Sequence, residues 1–173
     1  MKKPDTCNPL LRCSFASPLG PMTLAASDQG LAGLWFDGQK HMPDTGAWPL
    51  QPEHTLLLQA QTELREYFAG QRRSFTLALD LCQGTAFQQA VWRGLLEIAA
   101  GQTISYGALA QRMGHATAVR AIGAAVGRNP ISIVVPCHRV IGADGSLTGY
   151  AGGLERKLAL LRLESQMTAT IAA

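Results

Sequence analysis

The chain has 173 residues, 47% hydrophobic and 16% charged, with fifteen Lys and Arg against twelve Asp and Glu. This composition is globular and long enough for one domain or two small ones, which excludes a disordered or collagen-like chain. The net charge of +3 is too mild to point to a partner, but its distribution is uneven. Residues 1–84 carry seven cations and eight anions, whereas residues 85–164 carry eight cations and four anions. No carboxylate lies between Glu97 and Asp144, a stretch that holds Arg112, Arg120, Arg128 and Arg139. A phosphate-facing surface needs such a stretch, because each carboxylate would repel the ligand. A chance gap in an Ala- and Gly-rich helical region reads equally well.

Residues 10–36 read as short strands, with turns at Pro18-Leu19-Gly20-Pro21 and Ser27-Asp28-Gln29-Gly30. Residues 37–52 read as a loop. Leu56, Leu57, Ala60, Leu64, Tyr67 and Phe68 share one face of a helix that Gly70 ends. Phe75, Leu77, Leu79 and Leu81 alternate as in a strand. Composition changes at Gly84, which divides the chain into a small α/β unit over 1–84 and a helical unit over 85–173. Thr85 caps a helix carrying Phe87, Val91, Trp92, Leu95 and Ile98, closed by Gly101. Ser105 caps a short helix ended by Gly114, and Thr117 caps the next. That third helix must stop before Asn129-Pro130, since the residue before proline avoids the α region. The last two make a helix-turn-helix candidate. Ala116, Ala118, Ala121, Gly123, Ala124 and Ala125 would let its second helix approach a partner closely, or pack closely inside the protein. In the last helix, Leu154, Leu158 and Leu161 form the expected core stripe.

Cys7, Cys13, Cys82 and Cys137 contain no CxxC pair, so the expectation is free thiols in a reducing cytosol. His41, His54 and His115 lack ligand-like spacing, and neither a metal nor a cofactor is expected. Met1-Lys2-Lys3 is positive, but Pro4, Asp5, Asn8 and Arg12 prevent a signal-peptide core. No apolar run approaches the roughly 18 residues of a membrane span, which makes the expected location cytoplasmic.

Ile131-Ser132-Ile133-Val134-Val135 reads as a buried strand that ends at Pro136-Cys137-His138-Arg139-Val140. A cysteine beside a histidine at a strand exit supplies the ingredients of an activated thiolate. An unperturbed thiol is only a few per cent ionised at neutral pH, so it needs a base. Adjacent side chains seldom point at each other, so a bridging water or a third group must complete the relay. Read blandly, Cys137 is a small buried hydrophobe and His138 a structural donor.

Pro136-Cys137-His138-Arg139-Val140, with Asn129-Pro130 before it and Gly149-Tyr150-Ala151-Gly152-Gly153 after it, resembles the O6-alkylguanine–DNA alkyltransferases over residues 85–164. The resemblance implies a mixed α/β (α+β) fold: a ribonuclease-H-like N-terminal domain, then a helix-turn-helix, winged-helix-like domain that binds DNA and holds the active site. It implies that Cys137 accepts the alkyl group, that His138 deprotonates it through a water, and that Glu164 orients the histidine. It makes Asn129 the hinge before the active segment, and Arg139 a structural arginine. Tyr106 is implied to push a phosphate and donate to the guanine, and Arg120 to fill the space of the extruded base. The implied DNA surface comprises Ser105, Tyr106, Ala118, Arg120, Gly123 and Arg128. Val140, Thr148, Tyr150 and Ala151 are implied to line the base pocket.

Such a protein acts once, on O6-alkylguanine and O4-alkylthymine in double-stranded DNA, from the minor groove and as a monomer. Two departures are visible. Thr148 adds bulk beside the base, and Arg156-Lys157-Leu158-Ala159 lacks the tryptophan frequent after the lysine, implying a repacked core there. Two rival readings are a lesion-binding sensor without transfer, which would replace the cysteine, and a cysteine hydrolase, which would need an oxyanion hole.

Overall fold

A computed structural model describes residues 10–172, so Cys7 and the Met1–Lys3 start lie outside the described residues. The two expected turns join three antiparallel strands, β1 (Leu11–Ser17), β2 (Gly20–Ala26) and β3 (Leu31–Phe36), in the order β1-β2-β3. Their register aligns Cys13 with Leu24 and Leu24 with Leu34, so these three side chains share one face. Helix α1 (Thr55–Phe68) covers that sheet with Leu57, Ala60, Leu64 and Tyr67, all fully buried at helical spacing.

The outer edge of β3 is shared between two distant segments. At its start, Leu31 bridges Leu79, with Leu31 N donating to Ala78 O and Asp80 N to Leu31 O. At its end, Leu34 bridges Ile131, with Leu34 N donating to Pro130 O and Ser132 N to Leu34 O, both at 2.9 Å. The alternating stretch at 75–81 is therefore extended chain with a single bridge rather than a strand. A second segment already occupies the rest of the edge it would have needed.

The helical part begins with α2 (Ala86–Leu95), where Thr85 and Gln88 form a reciprocal capping box. The helix closes earlier than Gly101, and Ile98 follows it in a turn. Next come β4 (Ile104–Ser105), α3 (Tyr106–Arg112) and α4 (Val119–Gly127). Ser105 Oγ accepts from Ala108 N as expected of a cap. Thr117 does not cap α4: the N-cap is Ala118, without a side-chain bond, because Ala118 N already closes a turn onto His115 O. After the active segment, a 3-10 turn (Cys137–Arg139) leads into β5 (Val140–Ile141), which pairs parallel with β4. Helix α5 (Leu154–Ala172) closes the fold.

Three further expectations are corrected. Residues 131–135 form a tight turn rather than a buried strand. Val134 N bonds Ser132 O, Val135 N bonds Ile131 O, and Ile133 takes a φ of 70°. The cause is the side chain of Asn129, whose amide occupies the carbonyls of Ile131 and Val135 and the amide of Ile131, partners that a strand would offer to a neighbour. Secondly, the buried face of α5 is Lys157, Leu160, Glu164 and Met167, while Leu154 and Leu158 are exposed and Leu161 is half-buried. The helix is rotated from the leucine stripe because two charged side chains find complete sets of partners inside. Thirdly, Cys82 is disulfide-bonded rather than a free thiol, whereas Cys13 and Cys137 are free and buried.

Trp92 fixes α2 against α4, its ring Nε1 donating 2.8 Å to Ala125 O. Trp92→Phe removes that bond and leaves Ala125 O with Arg128 N alone, at 3.1 Å. We expect a loss of about 0.5–1.5 kcal/mol, read as a lower urea midpoint for unfolding.

Candidate active site

Asn129 stands at the junction of α4 and the active segment. Besides bonding Val135 O at 2.7 Å, its Nδ2 lies 3.0 Å from Cys137 Sγ. One buried amide thus shapes the loop and touches the thiol. Cys137 is buried, and burial pushes its thiol up; the Asn129 contact and the Lys157 cation oppose that shift without overcoming it. The resting thiol is therefore protonated at neutral pH, and a base must remove its proton.

His138 is completely buried beside it. Its Nε2 lies 2.7 Å from Glu164 Oε1. A carboxylate can only accept, so this contact places the ring proton on Nε2 and leaves Nδ1 as an acceptor. Nδ1 is buried and has no partner among the described residues. Burial holds the imidazole below its usual value, as do Arg139 and Lys157, while Glu164 works against them. The ring is neutral near pH 7 and able to take a proton.

Glu164, fully buried on α5, is the acceptor around which this region is built. Arg139 grips it in a fork, Nε to Oε2 at 2.9 Å and Nη2 to Oε1 at 2.8 Å. Tyr67 Oη donates to Oε1 at 2.7 Å, and Gly101 N to Oε2 at 3.3 Å. Burial alone would raise the carboxyl, but the bonds from His138 and Arg139 outweigh it and hold the group far below the carboxylate range. Gly101 is needed at its position, since its φ is 84° and a Cβ there would lie 2.2 Å from Thr168 Oγ1.

Lys157, buried two turns up the helix, donates to the carbonyls of Val140 at 2.6 Å, Thr148 at 2.9 Å and Gly149 at 3.2 Å. It ties β5 to the 148–149 loop and brings a cation toward Cys137.

A cavity of about 240 Å³ opens onto the thiol, lined by Tyr106, Gly123, Cys137, Tyr150 and Ala151 together with Lys40, His41, Val126, Gly127 and Gly149. Tyr106 Oη donates to Thr148 O at 3.3 Å, so Thr148 meets this tyrosine through its backbone. Val140 is fully buried behind Cys137. The last turns of α4 form one wall of the cavity, and Arg120 and Arg128 of the same helix region are exposed, as Ala118 at its start partly is. Ser105 is used as the cap of α3.

Sequence reasoning missed Tyr67, Lys157, Gly101, Lys40 and His41. Tyr67 looked like core, and it is core as well as donor. Lys157 sits at i−7 from Glu164, a spacing that places both on one helix face, and this was the available signal.

The titrations give stability a definite pH dependence. Glu164, lowered in the fold, contributes stability above the unfolded carboxyl value near ~4.3 and loses it as pH falls further. His138, also lowered, favours the fold above the unfolded imidazole value of ~6.5 and penalises it below. The urea midpoint, read by tryptophan fluorescence, should therefore fall below about pH 6.5. In His138→Gln, whose amide can still donate to Glu164, the part of that fall between about pH 6.5 and 5 should shrink to what His41, also lowered, contributes.

Comparison with known proteins bears on the same residues. The family model described as the 6-O-methylguanine DNA methyltransferase, DNA binding domain, matches residues 86–166. The one described as the ribonuclease-like domain of the same methyltransferase matches residues 10–81. The methylated-DNA–protein-cysteine methyltransferase of Mycobacterium leprae is 48% identical over 162 residues, 93% of this chain and 96% of its own. That of the archaeon Methanosarcina acetivorans is 46% identical, covering 87% and 95%. The crystal structure of Mycobacterium tuberculosis OGT in complex with DNA superposes with a TM-score of 0.85 at 47% identity, covering 90% of this chain and 93% of that one. Shared architecture, two matching domain families and near-half identity along almost its whole length lead to one assignment: the chain belongs to the methylated-DNA–protein-cysteine methyltransferases.

Proposed function

We propose that this protein repairs DNA by direct reversal, moving the alkyl group of O6-alkylguanine, and of O4-alkylthymine, onto Cys137 in a single irreversible turnover. The observation that carries this reading is the free thiol at the cavity, backed by His138 and Glu164 and walled by the helix that bears Arg120. The DNA-bound mycobacterial relative supports DNA as the partner.

The target oxygen lies inside the base stack, so the nucleotide rotates out into the cavity at a cost of a few kcal/mol. Arg120, exposed on a helix of small residues, enters from the minor groove and fills the space left behind. Ser105, Tyr106, Ala118, Gly123 and Arg128 belong to the same DNA-facing surface, where phosphate contacts supply affinity without sequence preference. The thiol proton passes to His138 Nδ1 through a water. Glu164 steadies the imidazolium that results. The thiolate then attacks the alkyl carbon: a C–S bond forms as the C–O bond breaks, and the electron pair leaves with the base. Tyr106 donates toward the leaving base, whose charge takes up a proton. The thioether product has no second group to cleave it.

In this reading, residues 1–84 form a supporting domain and 85–173 the alkyltransferase domain of a monomer working in the cytoplasm. Among the described residues, no helix is long and apolar enough to cross a membrane, and no group of three metal-ligating side chains occurs.

Incubation with a duplex carrying labelled O6-methylguanine tests the proposal. One equivalent of label on Cys137 is expected. Cys137→Ser should lose transfer and keep DNA binding, and transfer surviving that change would remove the nucleophile assignment. Binding without transfer by the unmodified chain would instead indicate a lesion sensor. Arg120→Ala should slow duplex repair at least tenfold more than attack on free O6-methylguanine; equal losses would remove its role in extrusion.

A further inference from the structure

The relay accounts for His138, Glu164 and Arg139 but leaves one donor unused. Tyr67 lies in the last turn of α1, 97 residues before Glu164, and its hydroxyl donates to the same carboxylate oxygen that His138 uses. Three donors meet at Oε1: His138 at 2.7 Å, Tyr67 at 2.7 Å and Arg139 Nη2 at 2.8 Å. The tyrosine is fully buried, and its ring is fixed by Phe68 and Phe75, with centroids 5.4 and 5.5 Å away. The hydroxyl is therefore held in place and has no access to water.

We propose that Tyr67 is a positioning residue for the transfer reaction: by sharing Glu164 Oε1 with His138, its hydroxyl limits how tightly the carboxylate holds the imidazole and so sets the strength of the base. The proposal rests on the reading of His138 as base and of Cys137 as acceptor.

A carboxylate oxygen has about two lone-pair sites, so three donors at one oxygen compete for the same electron density. Arg139 is held by charge and by its forked geometry and cannot yield. The neutral phenol and the imidazole N–H divide the remainder. A buried phenol facing a carboxylate stays protonated: burial, then the Glu164 charge, pushes its pKa well above the usual value. It is thus a permanent donor across the working pH range.

The other groups that bear on the pair are fixed charges or distant titrations. Arg139 and Lys157 oppose protonation of His138, and the Gly101 amide holds the far oxygen of Glu164. Cys137 and Tyr150, whose hydroxyl is buried, are both raised and titrate on the alkaline side. Two imidazoles thus titrate on the acid side, His138 and His41 of the cavity wall, and the His41→Asn variant isolates the limb that belongs to His138.

Tyr67→Phe keeps the ring and removes the donor. Glu164 then holds His138 more strongly, the imidazole becomes more basic, and the acid limb of single-turnover transfer from a methylated duplex moves up by about 0.5–1 pH unit. The His138 Nε2–H proton resonance moves downfield at neutral pH. 3-Fluorotyrosine placed at position 67, a stronger donor in the same space, shifts both readouts the opposite way; it also serves if the phenylalanine variant does not fold. A residue that only packs would lower the melting temperature and leave limb and resonance where they are. That result in a folded variant overturns the proposal. An unmodified chain that transfers no label would instead remove the underlying assignment of Cys137.

Discussion

The buried carboxylate of Glu164 is the constraint on which the rest of the structure depends. An isolated charge at that depth would cost many kcal/mol. It is tolerated because five donors converge on it from three separate parts of the chain: α1, the turn after α2, and the 3-10 turn at Cys137–Arg139, which supplies both His138 and Arg139. None of those elements can shift without taking a donor away from the buried carboxylate. The placement of the thiol follows from this, since Cys137 begins the turn whose next two residues are both bound to Glu164. Asn129 then fixes the approach from the other side, joining the end of α4 to the sulfur and to the carbonyls that shape the turn. Reactivity and folding are served by the same hydrogen bonds.

The features that were legible in the sequence are those decided locally. The first two hairpin turns, the Thr85 and Ser105 caps, and the end of α4 before Asn129-Pro130 depend on residues within four positions of one another. The Cys-His pair and its pocket sequence were legible through family resemblance. What was not legible involves partners far apart in the chain. Four apolar residues around Ser132 at 131–135 look like a strand unless the reader knows that a side chain two positions upstream will occupy their backbone groups. Leu154, Leu158 and Leu161 look like the inner face of α5 unless Lys157 and Glu164 are known to find partners inside. Hydrophobic periodicity assumes that charge faces water, and the assumption fails where buried charges find complete sets of partners in the interior. Tyr67 could be read only as core, because its acceptor lies 97 residues away.

The two sequence halves also differ in what they contribute. The strand-rich part has no residue whose chemistry stands out in isolation. Even so, it supplies a donor to the central carboxylate, two cavity-lining residues in Lys40 and His41, and the edge on which Ile131 rests. The catalytic character of the C-terminal part is thus assembled partly from the N-terminal one, although no motif there announces it.

The single bridges at the margins of the three-stranded sheet have a consequence for solubility. A sheet with free edges is a template for pairing with another molecule, above all when the edge strand is apolar. Here β3, buried along its whole length, is covered by Leu79 at one end and Ile131 at the other, and β1 is covered by Leu50 through Arg12. The segment that leads to Cys137 therefore also guards the sheet. If it came loose, it would expose the Leu34–Phe36 end of β3 as an open edge, and a first sign of that damage would be aggregation.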